Sequence, residues 1–264
     1  MDDFLALKKA IEQTLHIQCE NYKETYIRRR LLSRMRSTNT TTHEEYLRYL
    51  RSNPVESEKL RNALTINVTE FFRDTEVFDL IKHELLPSML SERKKIRIWC
   101  AGCSSGEEPY SLAMILYDLT GSGADLNGVI YATDIDEQIL SRAKEGIYDQ
   151  KSLKKLTDSQ IRRHFTDLGD GNFAVKPHLK AMIRFSRHDL MSGVPITRYL
   201  DLVTCRNVTI YFTEGQKNDL ARTFHTSLVQ GGYYVMGKTE YLGREIESLF
   251  VPFNAIQKVF VKAP

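Results

Sequence analysis

The chain has 264 residues, 42% of them hydrophobic and 27% charged, and a formal net charge of +3. That length supports one large buried core or two small ones, and its four cysteines are too few for a disulfide scaffold. No apolar run reaches the roughly 20 residues of a membrane helix, and the opening MDDFLALKKAIEQTL lacks the basic start and apolar block of a secretion signal, so a cytoplasmic protein with no membrane insertion is expected.

Residues 1–66 show helical periods and no convincing strand, with apolar positions at Phe4, Leu5, Leu7, Ile11 and Leu15, then at Tyr26, Ile27, Leu31, Leu32 and Met35, then at Tyr46, Leu47 and Leu50. TTTHEEYLRYL offers threonine caps with acids in the first turn, and Asn53-Pro54 breaks that helix. An all-α domain over 1–66 is predicted. Its segment 21–36 carries Lys23, Arg28, Arg29, Arg30, Arg34 and Arg36 against the single acid Glu24.

From about residue 95, strands alternate with helices. IRIWCA, GVIYATDID, AMIRFSRHDL, LDLVTCRN, GGYYVMGKTE and NAIQKVFVK read as strands. EEPYSLAMILYDL, EQILSRAKEG and a segment from Glu214 closed by Gly231 read as helices. This order predicts an α/β domain over 67–264 with a doubly wound, mostly parallel sheet. The last strand has no clear crossover helix before it, which suits an antiparallel edge. Residues 147–180 interrupt the alternation with a helix-like piece and an Asp170-Gly171 turn, and read as a small β insertion.

Ligands of such sheets sit beyond the carboxyl ends of the strands. There the chain has GCSSGEE at 102–108, and Asp134 at the end of the next strand. Gly102 and Gly106 allow tight turning and close backbone approach, while a carboxylate at Asp134 suits a ribose diol. The loop is not G-x-G-x-x-G, and Glu107 and Glu108 at the helix entry would repel a pyrophosphate. An adenosine with a cationic amino-acid tail and no phosphate fits, which points to S-adenosylmethionine. Cys100 and Cys103 admit three readings: small buried apolar side chains, a redox dithiol, or metal ligands. The first is favoured, because the residues between the cysteines and the helix do not suit a dithiol motif, and no further ligands pair with them for zinc.

Five motifs occur in order: NVTEFFRD (67–74), GCSSGEEPYSLA (102–113), ATDID (132–136), CRNVTIYF (205–212) and GGYYVMGKTE (231–240). Together they resemble the chemotaxis receptor methyltransferases of the CheR type. The resemblance implies a Rossmann-like methyltransferase domain that moves a methyl group from S-adenosylmethionine to glutamates on chemoreceptors, without a metal. Carried over by position, it implies cofactor contacts at Asn67, Thr69, Arg73, Glu107, Asp134, Asp189, Leu190, Cys205, Arg206 and Asn207, and a methyl-transfer site at Arg73 and Tyr211. Asp189 stands where family members often have an amide, Thr209 where an apolar residue is usual, and Lys238 where histidine or serine is common.

For the basic segment 21–36, the resemblance favours contact with the acidic methylation helices of a receptor over nucleic-acid binding or a merely solvated face. It also implies that the 147–180 insertion is the small β-subdomain with which some members hold a receptor tail peptide by strand addition. Three other functions compete. A nucleic-acid methyltransferase is disfavoured by the absence of an Asn/Asp-Pro-Pro-aromatic motif. A non-catalytic S-adenosylmethionine-binding regulatory domain is disfavoured by Arg73 and Tyr211. A thiol oxidoreductase would need Cys100 and Cys103.

Overall fold

The computed structural model describes residues 3–15, 17–64, 68–93, 95–121 and 128–264. The chain forms two compact units, Met1–Asn67 with Tyr211–Gln216, and Val68–Ile210 with Lys217–Pro264. The sequence reading put all of 67–264 in the second unit. The segment Tyr211–Gln216 belongs to the first because it pairs with it as backbone. Lys23 N–H donates to the Tyr211 carbonyl at 3.0 Å and Thr213 N–H to that of Asn21 at 3.1 Å, while Phe212 packs edge-on against Tyr22.

The first unit contains α1 (Asp3–Leu15), α2 (Glu24–Ser37), α3 (His43–Ser52) and α4 (Pro54–Leu64). Thr42 caps α3 in a reciprocal box with Glu45. The chain breaks at Asn53, and Pro54 opens α4, where its missing N–H costs nothing. The core is built on Leu7, Ile11, Ile27, Leu31, Tyr46 and Leu60. Leu5 and Leu32 fall outside the inward stripe of their helices and are exposed beside buried Phe4 and Leu31. One ion pair is set into this core: Arg34 reaches Glu56 at 2.6 Å, and the Tyr46 hydroxyl donates to the same carboxylate at 2.8 Å.

The second unit opens with α5 (Thr75–Leu80), a wide π-type turn over Ile81–Leu85, and α6 (Leu86–Glu92). Pro87 cannot donate to the turn before it, and the wide turn absorbs that missing bond. Then follow β1 (Ile96–Ala101), α7 (Glu107–Thr120), β2 (Gly128–Asp134), α8 (Glu137–Glu145), β3 (Ile147–Asp149), α9 (Asp158–His164), β4 (Phe165–Asp167), β5 (Asn172–Val175), α10 (Pro177–Lys180), β6 (Ile183–Arg187), β7 (Leu200–Cys205), α11 (Glu214–Ser227), β8 (Leu228–Met236), β9 (Phe250–Asn254) and β10 (Val259–Lys262). The main sheet has the order β6-β2-β1-β7-β8-β10-β9. It is parallel through β8, and β10 and β9 add antiparallel. The antiparallel end matches expectation, but β9 is an additional strand. Gly231 does not close a helix. α11 ends at Ser227, and Gly231 lies at φ +75° inside β8, where the pairing with β7 slips and the strand bulges. The insertion forms its own antiparallel sheet, β3-β5-β4.

All four cysteines are buried and free. Burial pushes the thiols of Cys100, Cys103 and Cys205 well above the ordinary range and that of Cys19 to about 12, so none is a thiolate near neutral pH. Two outcomes are expected. Ellman's reagent will leave the native protein unlabelled over minutes and titrate all four thiols once the chain is unfolded. Glu56→Ala, which removes the buried acceptor shared by Arg34 and Tyr46, will lower stability by about 3 kcal/mol in denaturant melts.

Candidate active site

The parallel strands deliver their carboxyl ends to one edge of the sheet, in the order β6, β2, β1, β7. Beyond β1 the chain turns sharply: Gly102 and Cys103 both donate their N–H to the Thr133 carbonyl, at 2.8 and 2.9 Å. Gly102 has φ +77°, and a Cβ there would come within 2.5 Å of Val208. Gly106, at φ +97°, has Ala143 and the Tyr148 hydroxyl where its Cβ would go. These two glycines are the ones the turn requires. Asp134 then fastens the loop: its carboxylate accepts from Ser104 N–H at 2.9 Å and from Asp136 N–H at 3.1 Å. Burial pushes the Asp134 carboxyl above its ordinary range despite those bonds.

The two glutamates at the entry of α7 have different roles. Glu108 turns inward and accepts from Arg206 at 2.9 Å, Thr204 Oγ1 at 2.7 Å and Cys100 Sγ at 3.3 Å. Its charge is compensated inside the fold, so it does not screen ligands as the sequence reading supposed. Glu107 accepts from Ser105 Oγ at 2.7 Å, and burial raises its pKa. It lines a cleft of about 450 Å³ whose other walls are Val68, Thr69, Glu70 and Arg73 on one side and Asp149, Lys151, Ser152 and Lys154 on the other.

Arg73 stands on a turn whose neighbours Phe72 and Asp74 are both left-handed, at φ +50° and +58°. Side chains disfavour that region, so the turn persists only because its surroundings over-determine it. Phe71 packs edge-on against Tyr148 and Phe165, Phe72 against Phe78, and Phe72 N–H donates to Ser111 Oγ at 3.0 Å. Arg206 completes the constraint. It donates to the Arg73 carbonyl at 2.7 Å and pairs with Asp74 at 2.8 Å while its other arm holds Glu108.

Of the residues expected to contact a cofactor, Thr69, Arg73 and Glu107 share the cleft. Asp134, Asp189-Leu190 and Cys205–Asn207 follow the ends of β2, β6 and β7 along the same sheet edge. Asn67 lies outside the described residues. The Asp189 carboxylate caps its own short turn, accepting from Met191 N–H at 2.9 Å. Cys205 and Arg206 are both buried, the guanidinium of Arg206 in its pairs with Asp74 and Glu108. Tyr211 is grouped with the helical unit, its ring 4.7 Å from that of Tyr26.

Glu240 went unnoticed in the sequence. It is 2% exposed and accepts from the N–H groups of Asn207, Val208, Thr209 and Gly237 and from the Thr209 hydroxyl. One carboxylate thereby shapes the turn after β7, where Asn207 is left-handed at φ +61°. An acid just past the end of a buried strand was the available signal. Thr209, which departs from the family's apolar preference, has a polar partner here for that reason.

Buried polar atoms on this edge, Ser104 Oγ and Asn207 Oδ1 among them, have no hydrogen-bond partner among the described residues. A polar ligand would satisfy them. With the ionisable Glu107 and Asp134, they fit an adenosine bearing a cationic amino-acid tail. Among the described residues there is no group of three or more metal-ligating side chains, and no helix is long and apolar enough to cross a membrane.

Comparison with known proteins gives the family. The family model for the S-adenosylmethionine-binding domain of CheR methyltransferases matches residues 67–257, and the one for their all-alpha domain matches residues 2–65. A chemotaxis protein methyltransferase of Listeria monocytogenes is 35% identical over 241 residues, 91% of this chain and 90% of that protein. Its counterpart in Borreliella burgdorferi is 34% identical over 90% of this chain and 88% of its own length. Chemotaxis protein methyltransferase 2 of Vibrio cholerae is 32% identical over 94% and 88%. Matched in both parts and along nearly its whole length, with a glycine turn and carboxylates suited to the methyl donor, the chain belongs to the CheR family of S-adenosylmethionine-dependent methyltransferases.

Proposed function

We propose that this protein methylates glutamate side chains of chemoreceptors, forming methyl esters in sensory adaptation. The observation that carries the reading is the cleft that Arg73 and Glu107 both line, in a chain belonging to the CheR family. Bound S-adenosylmethionine supplies a sulfonium methyl group, which a carboxylate already ionised near neutral pH accepts without a general base. The protein's part is therefore holding and aiming. Glu107 attracts the ammonium of the methionine moiety, Asp134 receives the ribose hydroxyls, and Thr69 and the backbone of Leu190, Cys205, Arg206 and Asn207 complete the binding edge. Arg73 grips a carboxylate with its planar fork. Asn67, Asp189 and Tyr211 keep roles that rest on the family resemblance.

On α2, Arg34 is paired with Glu56 and Arg28 with Glu24, while Arg29, Leu32 and Arg36 form an exposed stripe on one face. Such a stripe suits an amphipathic, acidic receptor helix, and the open edges of the β3-β5-β4 sheet suit strand addition by a receptor tail peptide. A cytoplasmic location accords with receptor methylation segments as substrates.

The test is transfer of labelled methyl groups to a cognate receptor as alkali-labile ester. An enzyme that binds S-adenosylhomocysteine but labels no receptor would sink the receptor assignment. Asp134→Asn is expected to weaken S-adenosylhomocysteine about 10- to 100-fold in calorimetry. Acidification acts in the same direction. The raised pKa of Glu107 and Asp134 means that both gain protons above the usual carboxylate range, so affinity for the cationic tail falls as pH drops through it. The unliganded fold responds oppositely: raised carboxyl pKa values make these two groups less stabilising as pH rises from the unfolded value through the folded one. Arg29→Glu with Arg36→Glu should raise the receptor KM about tenfold, leaving cofactor affinity unchanged.

A further inference from the structure

We propose that the turn 149–155 of the insertion is a docking lip for the methyl acceptor, with Lys151 and Lys154 selecting an acidic segment. The proposal rests on the methyl-transfer reading above and names residues that reading does not use.

The turn is firmly built. Asp149 accepts from Ser152 N–H at 2.8 Å and from Ser152 Oγ at 2.7 Å, and Gln150 N–H donates to the Gly171 carbonyl at 3.2 Å. Leu153 and Leu156 are buried and anchor it from below. Lys155 pairs with Glu70 at 2.6 Å, fastening the turn to the segment that carries Arg73. The spacing then leaves Lys151 and Lys154 exposed, three residues apart, on the cleft that Arg73 and Glu107 also line.

The charges of this cleft are unevenly committed. Glu70 is engaged by Lys155, with Lys154 farther off at 3.7 Å, and hydrogen bonds from Ser152 hold Asp149 below the ordinary carboxylate range. Glu107 is buried against Ser105. Lys151 has no ion pair among the described residues. Lys151 and Lys154 are the exposed lysines of this lining, and the shorter ion pair of Glu70 is with Lys155. One carboxylate on Arg73 leaves Lys151 and Lys154 for others, and an acceptor segment with several glutamates supplies them. The other anionic source is the carboxylate of the cofactor itself, and the experiment separates the two.

Lys151→Gln with Lys154→Gln is compared with wild type, Lys155 being kept because it supports the turn. The probes are a fluorescein-labelled helical peptide carrying several glutamates and its glutamine counterpart, followed by anisotropy without cofactor, and S-adenosylhomocysteine followed by calorimetry. The glutamate peptide is expected to bind the double variant about fivefold more weakly than wild type. The difference should shrink at high salt, and S-adenosylhomocysteine should bind both proteins alike. Equal binding of both peptides by wild type, or no binding of the glutamate peptide, overturns the lip. A loss of S-adenosylhomocysteine affinity in the variant overturns it too, because the lysines would then serve the cofactor. Lysine-dependent binding of the glutamate peptide by an enzyme that methylates no receptor would leave the lip standing and remove the receptor reading instead.

Discussion

The guanidinium of Arg206, buried at the end of β7, is the constraint on which the site depends. Its two arms reach Glu108 at the entry of α7 and Asp74 beside Arg73, and it also binds the Arg73 carbonyl. Three segments far apart in sequence are held by one planar cation. A buried charge of this kind depends on its counter-ions, and removing it would leave two carboxylates without their partner, a loss of about 3 kcal/mol or more. Arginine suits the task better than lysine because its fork fixes directions as well as charge.

Around that cation, carboxylates serve mostly as structural acceptors. Asp134 holds the glycine loop, Glu240 gathers the N–H groups after β7, and Glu108 balances Arg206. Asp134 and Glu240 satisfy backbone donors that the sharp turns leave without a ladder partner. Glu107 differs from these: it borders the cleft, accepts from the Ser105 hydroxyl, and burial keeps its pKa high. A site that binds a cationic ligand benefits from one such group, whose cost of ionisation the ligand offsets.

The left-handed residues concentrate at the same edge. Phe72, Asp74, Ser104 and Asn207 all have positive φ without being glycine. Each lies next to a residue or loop that carries binding chemistry, and each is held by neighbours: Phe72 by Ser111, Asp74 by Arg206, Ser104 by Asp134, Asn207 by Glu240. Strain of this kind is compatible with a rigid, preorganised site, as methyl transfer to an ionised carboxylate requires. The insertion contributes too, since the Tyr148 hydroxyl binds the Ser105 carbonyl at 2.6 Å and its lysine turn borders the cleft.

The sequence by itself determined the alternation of strands and helices, the all-α beginning, the glycine turn after β1 and the acid at the end of β2, because periodicity, caps and glycine act locally. It carried the family through five motifs for the same reason. What it could not decide was direction. That Glu108 and not Glu107 pairs with Arg206, that Arg206 braces Arg73, and that Glu240 gathers five donors all depend on which distant groups meet. Likewise Gly231 reads as a helix stop until the pairing of β8 with β7 makes it a bulge, and Tyr211 reads as part of the sheet domain until backbone pairing with Asn21–Lys23 groups it with the helices. Local propensity writes the elements. Long-range hydrogen bonds and charge pairs, formed only in the folded chain, assign each side chain its task.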